Sequence, residues 1–244
     1  MLVRKVIYSI LNLFDHHKEK IPNLFLQIFK KHPNFLRKDK QRIRVCVNEI
    51  IRYLGLIDHL IEVGSERKIR HINPKVRNVL RLGIYELVFD DITPDFAAIH
   101  SSVELAKKNI NKKSSSMVNA VMRNIQRISQ KNKKWKMSLI KNKIDLAYPE
   151  WLLKKWEDEF GKDVTTNLCA EFLNKKDIFI RLDIDRYSVD KMLSVLSHSN
   201  IKVIQHNHFK LFFKVVLGQK NILGNNLFQE GIISIQDPAA GAVV

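Results

Sequence analysis

Six arginines, Arg42, Arg44, Arg52, Arg123, Arg127 and Arg181, are the residues whose type and placement suit a definite chemistry. A guanidinium is always charged and offers a planar fork of N–H donors that matches phosphate oxygens two at a time. The first five fall off the apolar stripes of their helical segments and can form one basic face. They are read as contacts to a polyanion. The plainer reading, ordinary solvated or locally paired arginines, stays open beside it.

Other chemistry is thin. There is no GxGxxG and no phosphate-cradling P-loop. His206 and His208 form an HxH without a third ligand, so they read as a surface pair, and His16-His17 reads the same way. Asp90-Asp91 and Glu157-Asp158-Glu159 read as solvated faces, and Ser101-Ser102 has no evident partner. Cys46 and Cys169 sit in helical patterns, far from any CxxC, and read as small buried apolar residues. No catalytic, cofactor-binding or metal-binding residue is assigned.

Charge divides the chain. It has 42 Lys and Arg against 25 Asp and Glu, a net of +17. Residues 1–140 hold 28 basic and 12 acidic residues, whereas 141–244 hold 14 and 13. A strongly basic half points to nucleic acid, and the nearly neutral half argues for a different job. The run Val6–Phe14 behind Arg4 and Lys5 is followed by charged residues rather than a cleavage site. It therefore reads as an amphipathic helix of a cytoplasmic protein.

The elements that position these arginines are mostly helical. Helices are expected at 2–14 and 22–31, the second with Pro22 in its first turn. Ile43, Val47, Ile50, Leu54, Ile57 and Ile61 recur every three or four residues and predict one long helix. Asn73-Pro74 caps the next, which runs to about Phe89 and tolerates Gly83 for the sake of close packing. Helices at about 96–110 and 116–129 follow, with Ser114 to Ser116 as the last cap. No strand pattern appears in these 130 residues.

Residues 131–144 read as a basic linker, with Trp135 as an anchor. Beyond it, helices at 149–160 and 164–172 precede a strand at 178–182 and a helix at 189–196. Strands at 201–205, 209–216 and 232–235 complete a small α+β module. The chain stops soon after Gln236-Asp237-Pro238-Ala239-Ala240-Gly241, as if just before a further domain. The strand at 232–235 is accordingly expected to fray.

Several stretches in order carry a resemblance. They are Leu80-Arg-Leu-Gly-Ile-Tyr-Glu-Leu87 with Pro94 and Ala97-Ala98, then Val103-Glu-Leu-Ala-Lys107 and Val118-Asn-Ala-Val-Met-Arg123. Tyr148-Pro-Glu-Trp-Leu152, Arg181-Leu-Asp183, Glu230-Gly231 and Gln236-Asp-Pro-Ala-Ala240 continue the series. Together the chain resembles the N-terminal region of the bacterial RsmB (Sun, Fmu) family. These are S-adenosylmethionine-dependent methyltransferases that make 5-methylcytosine in 16S ribosomal RNA. Asp183 and Gly241 depart from the family's usual Asn and Gln.

The resemblance implies a mainly α protein. A NusB-like RNA-binding bundle would span 1–130 and a small α+β module, RRM-like or ferredoxin-like, 145–235. Residues 236–244 would start a catalytic domain. The family's glycine loop and its two catalytic cysteines have no counterpart here, and Cys46 and Cys169 match neither. The implied partner is small-subunit ribosomal RNA, with Arg181 added to the arginines that meet it. S-adenosylmethionine is implied for the full-length family, and this chain alone is expected to bind no cofactor and no metal, to be inactive and to stay off membranes. The alternative is a free-standing NusB-like antitermination or ribosome-assembly factor, with a helix-turn-helix regulator as a more distant third.

Overall fold

The computed structural model describes residues 2–17, 19–130, 135–174 and 176–242. The side chains of His17, Gln130, Met137 and Lys141 lie outside the described ones. Among the described residues the chain is mainly α, 71% helical with one small antiparallel sheet. By contacts it divides into two compact units, Met1–Leu173 and Asn174–Val244.

In the first unit, α1 (Leu2–His17) and α2 (Ile21–Lys31) lead into α3 (Arg37–Arg52) and α4 (Leu54–Ser65). The periodic stripe from Ile43 to Ile61 is therefore two helices, not one. The chain leaves helical geometry at Tyr53 (φ −99°, ψ 17°), although the Ile57 N–H still bonds to the Tyr53 carbonyl. Tyr53 stacks on Phe89 with centroids 4.6 Å apart. The apolar phase carries across the bend, which is why periodicity hid it.

Next come α5 (Pro74–Ile84), α6 (Asp95–Asn109) and α7 (Lys112–Gln130). The Asn73 side chain accepts from the Lys75 N–H as expected. Past Ile84 the helix widens into a π turn, Tyr85–Phe89. A Cβ on Gly83 would press into Ser102 and Met122, so close helix packing is the reason for glycine there. The cap of α7 is the Asn111 side chain, which accepts from the Ser114 N–H at 2.8 Å; the expected Ser114–Ser116 cap lies inside the helix instead. Leu24, Ile43, Ile50, Ile57, Val79 and Ile125 meet in one fully buried core.

Residues 131–134 of the expected linker lie outside the described residues. From Trp135 onward the chain is ordered as α8 (Trp135–Lys143), a 3-10 turn (Ile144–Ala147), α9 (Glu150–Phe160) and α10 (Lys162–Leu173). These pack on the same core through Trp135, Ile144, Tyr148, Trp156 and Cys169. The Tyr148 hydroxyl donates to the Cys169 carbonyl at 2.8 Å, and Trp156 stacks on Phe172 and meets Tyr148 at a tilt. The division by contacts thus falls after Leu173, later than the basic stretch at 131–144. Composition marks that stretch as polar, but it does not reveal that Trp135 and Tyr148 bury themselves against the preceding helices.

The second unit is built from β1 (Ile178–Leu182), α11 (Val189–His198), β2 (Lys202–Gln205) and β3 (Phe212–Leu217). After a 3-10 turn come α12 (Asn226–Gln229), β4 (Ile233–Ile235) and α13 (Pro238–Gly241). The sheet order is β2-β3-β1-β4, all antiparallel, which is the ferredoxin-like arrangement. Ile180, Leu182, Phe213, Val215 and Ile233 bury one face of the sheet with Met192 and Leu196 of α11.

The expected fraying of the last strand is corrected. Ile233–Ile235 pairs antiparallel with β1, and Ile232 and Ile233 are buried. The Asp237 side chain then caps α13 by accepting from the Ala239 N–H at 2.8 Å.

Candidate nucleic-acid interface

A residue that binds phosphate must be exposed and not already neutralised. The structure sorts the candidate arginines on that test. Arg42 on α3 donates through Nη1 to Asp90 Oδ1 at 3.1 Å, through Nη2 to Asp90 Oδ2, and to Thr93 Oγ1 at 3.2 Å. It straps α3 to the segment before α6. Arg52 pairs with Glu49 one turn earlier on its own helix. Arg123 and Arg127 on α7 are exposed and, among the described residues, hydrogen-bond locally, to Gln126 and Asn124. Arg44 is exposed, with its guanidinium 4.9 Å from the centre of the Phe29 ring. Arg181 lies on β1 in the second unit, 6.0 Å from the Phe212 ring centre.

The first five do not share a face, since Arg42 turns to Asp90 while Arg44 turns to α2. Asp90, read from sequence as part of a solvated face, has a side chain only 5% exposed. Its carboxyl illustrates the competition. Burial alone would raise its pKa, but hydrogen bonds from Arg42 and Thr93 and the Arg42 charge hold it below the usual carboxylate range. A folded pKa below the unfolded one means stability that is present above the unfolded value, near pH 4, and lost as pH falls through the folded value. Arg42→Met should therefore flatten the drop in melting temperature between about pH 5 and pH 3. Melting curves across that range check it, and parallel curves for the two proteins would show that the strap carries no linkage.

One basic cluster escaped the sequence reading. Lys30 and Lys31 end α2, and Arg37, Lys38 and Lys40 begin α3. Lys30, Lys31, Arg37 and Lys38 are exposed, and Lys40 and Arg44 both lie over Phe29, Lys40 at 6.0 Å. From Lys30 to Arg44 the only acid is Asp39. That local density was the available signal. Helical periodicity drew attention to the apolar stripe instead. Exposed cations around an aromatic ring suit phosphates and a base together.

Two buried polar networks also went unseen. Arg81 donates to both oxygens of Asp58 at 2.7 Å, to Asp15 at 3.1 Å and to Asn78 at 2.9 Å. Arg4 pairs with Glu86 and donates to Ser102 Oγ at 2.8 Å. Both tie α1 to the centre of the bundle.

No catalytic constellation emerges among the described residues. Burial pushes the Cys46 thiol up to about 11 and raises Cys169 as well, so both are held as thiols rather than nucleophilic thiolates. His206 Nδ1 accepts the backbone N–H groups of His208 and Phe209, so this histidine organises its own turn. No group of three or more metal-ligating side chains occurs among the described residues. No described helix is long and apolar enough to cross a membrane.

Comparison with known proteins adds the family. The model of the NusB family matches residues 1–127. The chain belongs to the NusB family. Its NusB-family bundle is followed by sequence that also has relatives. A probable ribosomal RNA small subunit methyltransferase B of Synechocystis sp. is 32% identical over 158 residues, covering 63% of this chain and 34% of that protein. Its Bacillus subtilis counterpart is 29% identical over 178 residues, 71% of this chain and 38% of that protein. The transcription antitermination protein NusB of Finegoldia magna is 28% identical over 48% of this chain and 83% of its own length. The chain thus spans little more than a third of the methyltransferase relatives just named. Among solved structures, that of PH0851 aligns over 96% of this chain and 53% of its own with a TM-score of 0.52 at 17% identity, a likeness of fold alone.

Proposed function

We propose that this NusB-family chain binds structured RNA and serves as the recognition part of a small-subunit ribosomal RNA (cytosine-C5) methyltransferase. The observation that carries the reading is the exposed basic corner of α2 and α3, with Lys40 and Arg44 over Phe29, on a strongly basic bundle. Arg123, Arg127 and Arg181 remain proposed contacts. Arg42 and Arg52 are weaker ones, because each already holds a carboxylate. Phosphate contacts of this kind supply affinity and register rather than sequence choice.

The similarity to methyltransferase B proteins supports the enzyme context, since it runs well past residue 127. The relative named as transcription antitermination protein NusB matches less than half of the chain, which favours the first reading over an independent antitermination factor. S-adenosylmethionine has no fitting site among the described residues. The sheet is wholly antiparallel and offers no parallel-strand crevice with a glycine turn leading into a helix, the arrangement in which doubly wound folds hold a nucleoside. Methyl transfer is therefore assigned to no residue of this chain.

The test is titration of the full chain with a ribosomal RNA hairpin at several salt concentrations. With about five phosphates engaged, log K should fall against log[salt] with a slope of about −3.5 to −4.5. A slope near zero, or no binding at low salt, overturns the proposal.

A further inference from the structure

The open face of the second unit's sheet carries rings where a solvated sheet face is ordinarily polar. Pairing of Phe179 with Lys214, and of Lys214 with Ile204, puts these three on one face; pairing of Arg181 with Phe212 adds two more. This is the face opposite the Ile180, Phe213 and Val215 core. His206 lies 5.7 Å from Phe179 and 5.2 Å from Phe209, and Phe209 lies 5.9 Å from Phe212. Gly241 of α13 sits against Phe212, which is buried. Phe179, His206 and Phe209 are only partly buried.

The charge around these rings is predominantly positive. No Asp or Glu occurs from residue 191 to 229, whereas Lys202, Lys210 and Lys214 lie on or beside the β2–β3 hairpin. Arg181 flanks the rings on β1. Asp177 at this edge pairs with Lys214 at 2.7 Å, so Arg181, Lys202 and Lys210 are the cations offered to a ligand. An apolar protein segment would cover the rings but gain nothing from the surrounding cations. A nucleotide uses both, because each base has a π-face and each link a phosphate.

We infer that this face is a second RNA-binding surface, on which unpaired bases stack against Phe179 and His206 while Arg181, Lys202 and Lys210 hold the adjoining phosphates. The inference rests on the reading of the chain as RNA-binding, and it names what the second unit recognises: single-stranded rather than paired RNA. Duplex bases are already stacked on one another and cannot reach the rings.

The test compares, for the full chain, an unstructured RNA oligomer carrying 2-aminopurine with an RNA duplex of equal phosphate count. Phe179→Leu keeps bulk but removes the ring. His206→Asn keeps an acceptor for the turn's N–H groups and removes the ring. Each should weaken single-stranded binding about 10-fold and abolish the 2-aminopurine fluorescence change, with duplex binding unchanged. Phe179→Tyr should behave as wild type. If Phe179→Leu fails to fold, as circular dichroism would reveal, His206→Asn decides the matter. Unchanged single-stranded affinity in the folded variant overturns the inference, as does an equal loss on the duplex. Failure of the wild-type chain to bind either RNA overturns both this inference and the reading it rests on.

Discussion

Reversing charge at the start of α3, through Arg37→Glu and Lys38→Glu together with Arg44→Glu, should cut RNA affinity by about 100-fold at physiological salt while the fold holds. The salt slope should become shallower by about two to three, one unit for each lost phosphate contact. The fold is expected to tolerate this for a specific reason. Arg37 and Lys38 occupy the first two positions of a helix whose N-cap, Leu36, provides no capping side chain. The helix dipole disfavours cations there and favours glutamates, by about 0.3–1 kcal/mol each. Melting temperature should stay level or rise as binding collapses. The two cations therefore add nothing to the helix itself and are free to be read through RNA affinity alone. Fluorescence anisotropy alongside thermal melts gives the answer, and undiminished binding would remove this corner from the interface.

The largest stability effect is expected at Arg81. Its side chain is only 7% exposed and it bridges Asp15 of α1 to Asp58 of α4. Arg81→Met roughly preserves volume but strips Asp58 of its guanidinium partner and removes one of the partners of Asp15. Removing one partner of a buried pair costs about 3–5 kcal/mol, and the lower end applies because both aspartates retain some exposure. Asp15 keeps Arg77 at 3.0 Å and Asn78 at 3.1 Å, which softens the loss further. Denaturant unfolding measures it. A change below about 1 kcal/mol would mean that apolar packing alone sets the positions of α1, α4 and α5.

How much of this was legible in the sequence follows from how each feature is encoded. The helices of residues 1–130 could be read because a buried face repeats every three or four residues, and the Asn73 cap because its chemistry is local. The second unit's strands were readable for a different reason, short runs of apolar and β-branched residues bounded by turn signals. The bend at Tyr53 was not, because the apolar stripe continues through it. Nor were the partners of Arg42 and Arg81 readable, since Asp90 and Asp58 lie 48 and 23 residues away from them. The arginine candidates were chosen for lying off apolar stripes. That criterion cannot tell an arginine that reaches solvent from one that turns back to a carboxylate. The stretch 30–44 needed only a count of charge, and Arg44 was the one residue of its exposed cluster that had been singled out.

The segment from Trp135 to Leu173 has a consequence for what else can reach the bundle. The Leu146 carbonyl lies so close over Gly55 of α4 that any side chain there would collide with it. Lys136 lies 5.9 Å from the centre of the Phe89 ring, which itself stacks on Tyr53. This side of the NusB-type bundle is therefore occupied in cis. A protein that docked here in trans would have to displace a covalently tethered competitor, whose effective concentration is of the order of millimolar or higher. A protein that leaves the segment in place must approach the bundle from another side, so the tether that walls the core also raises the cost of docking here.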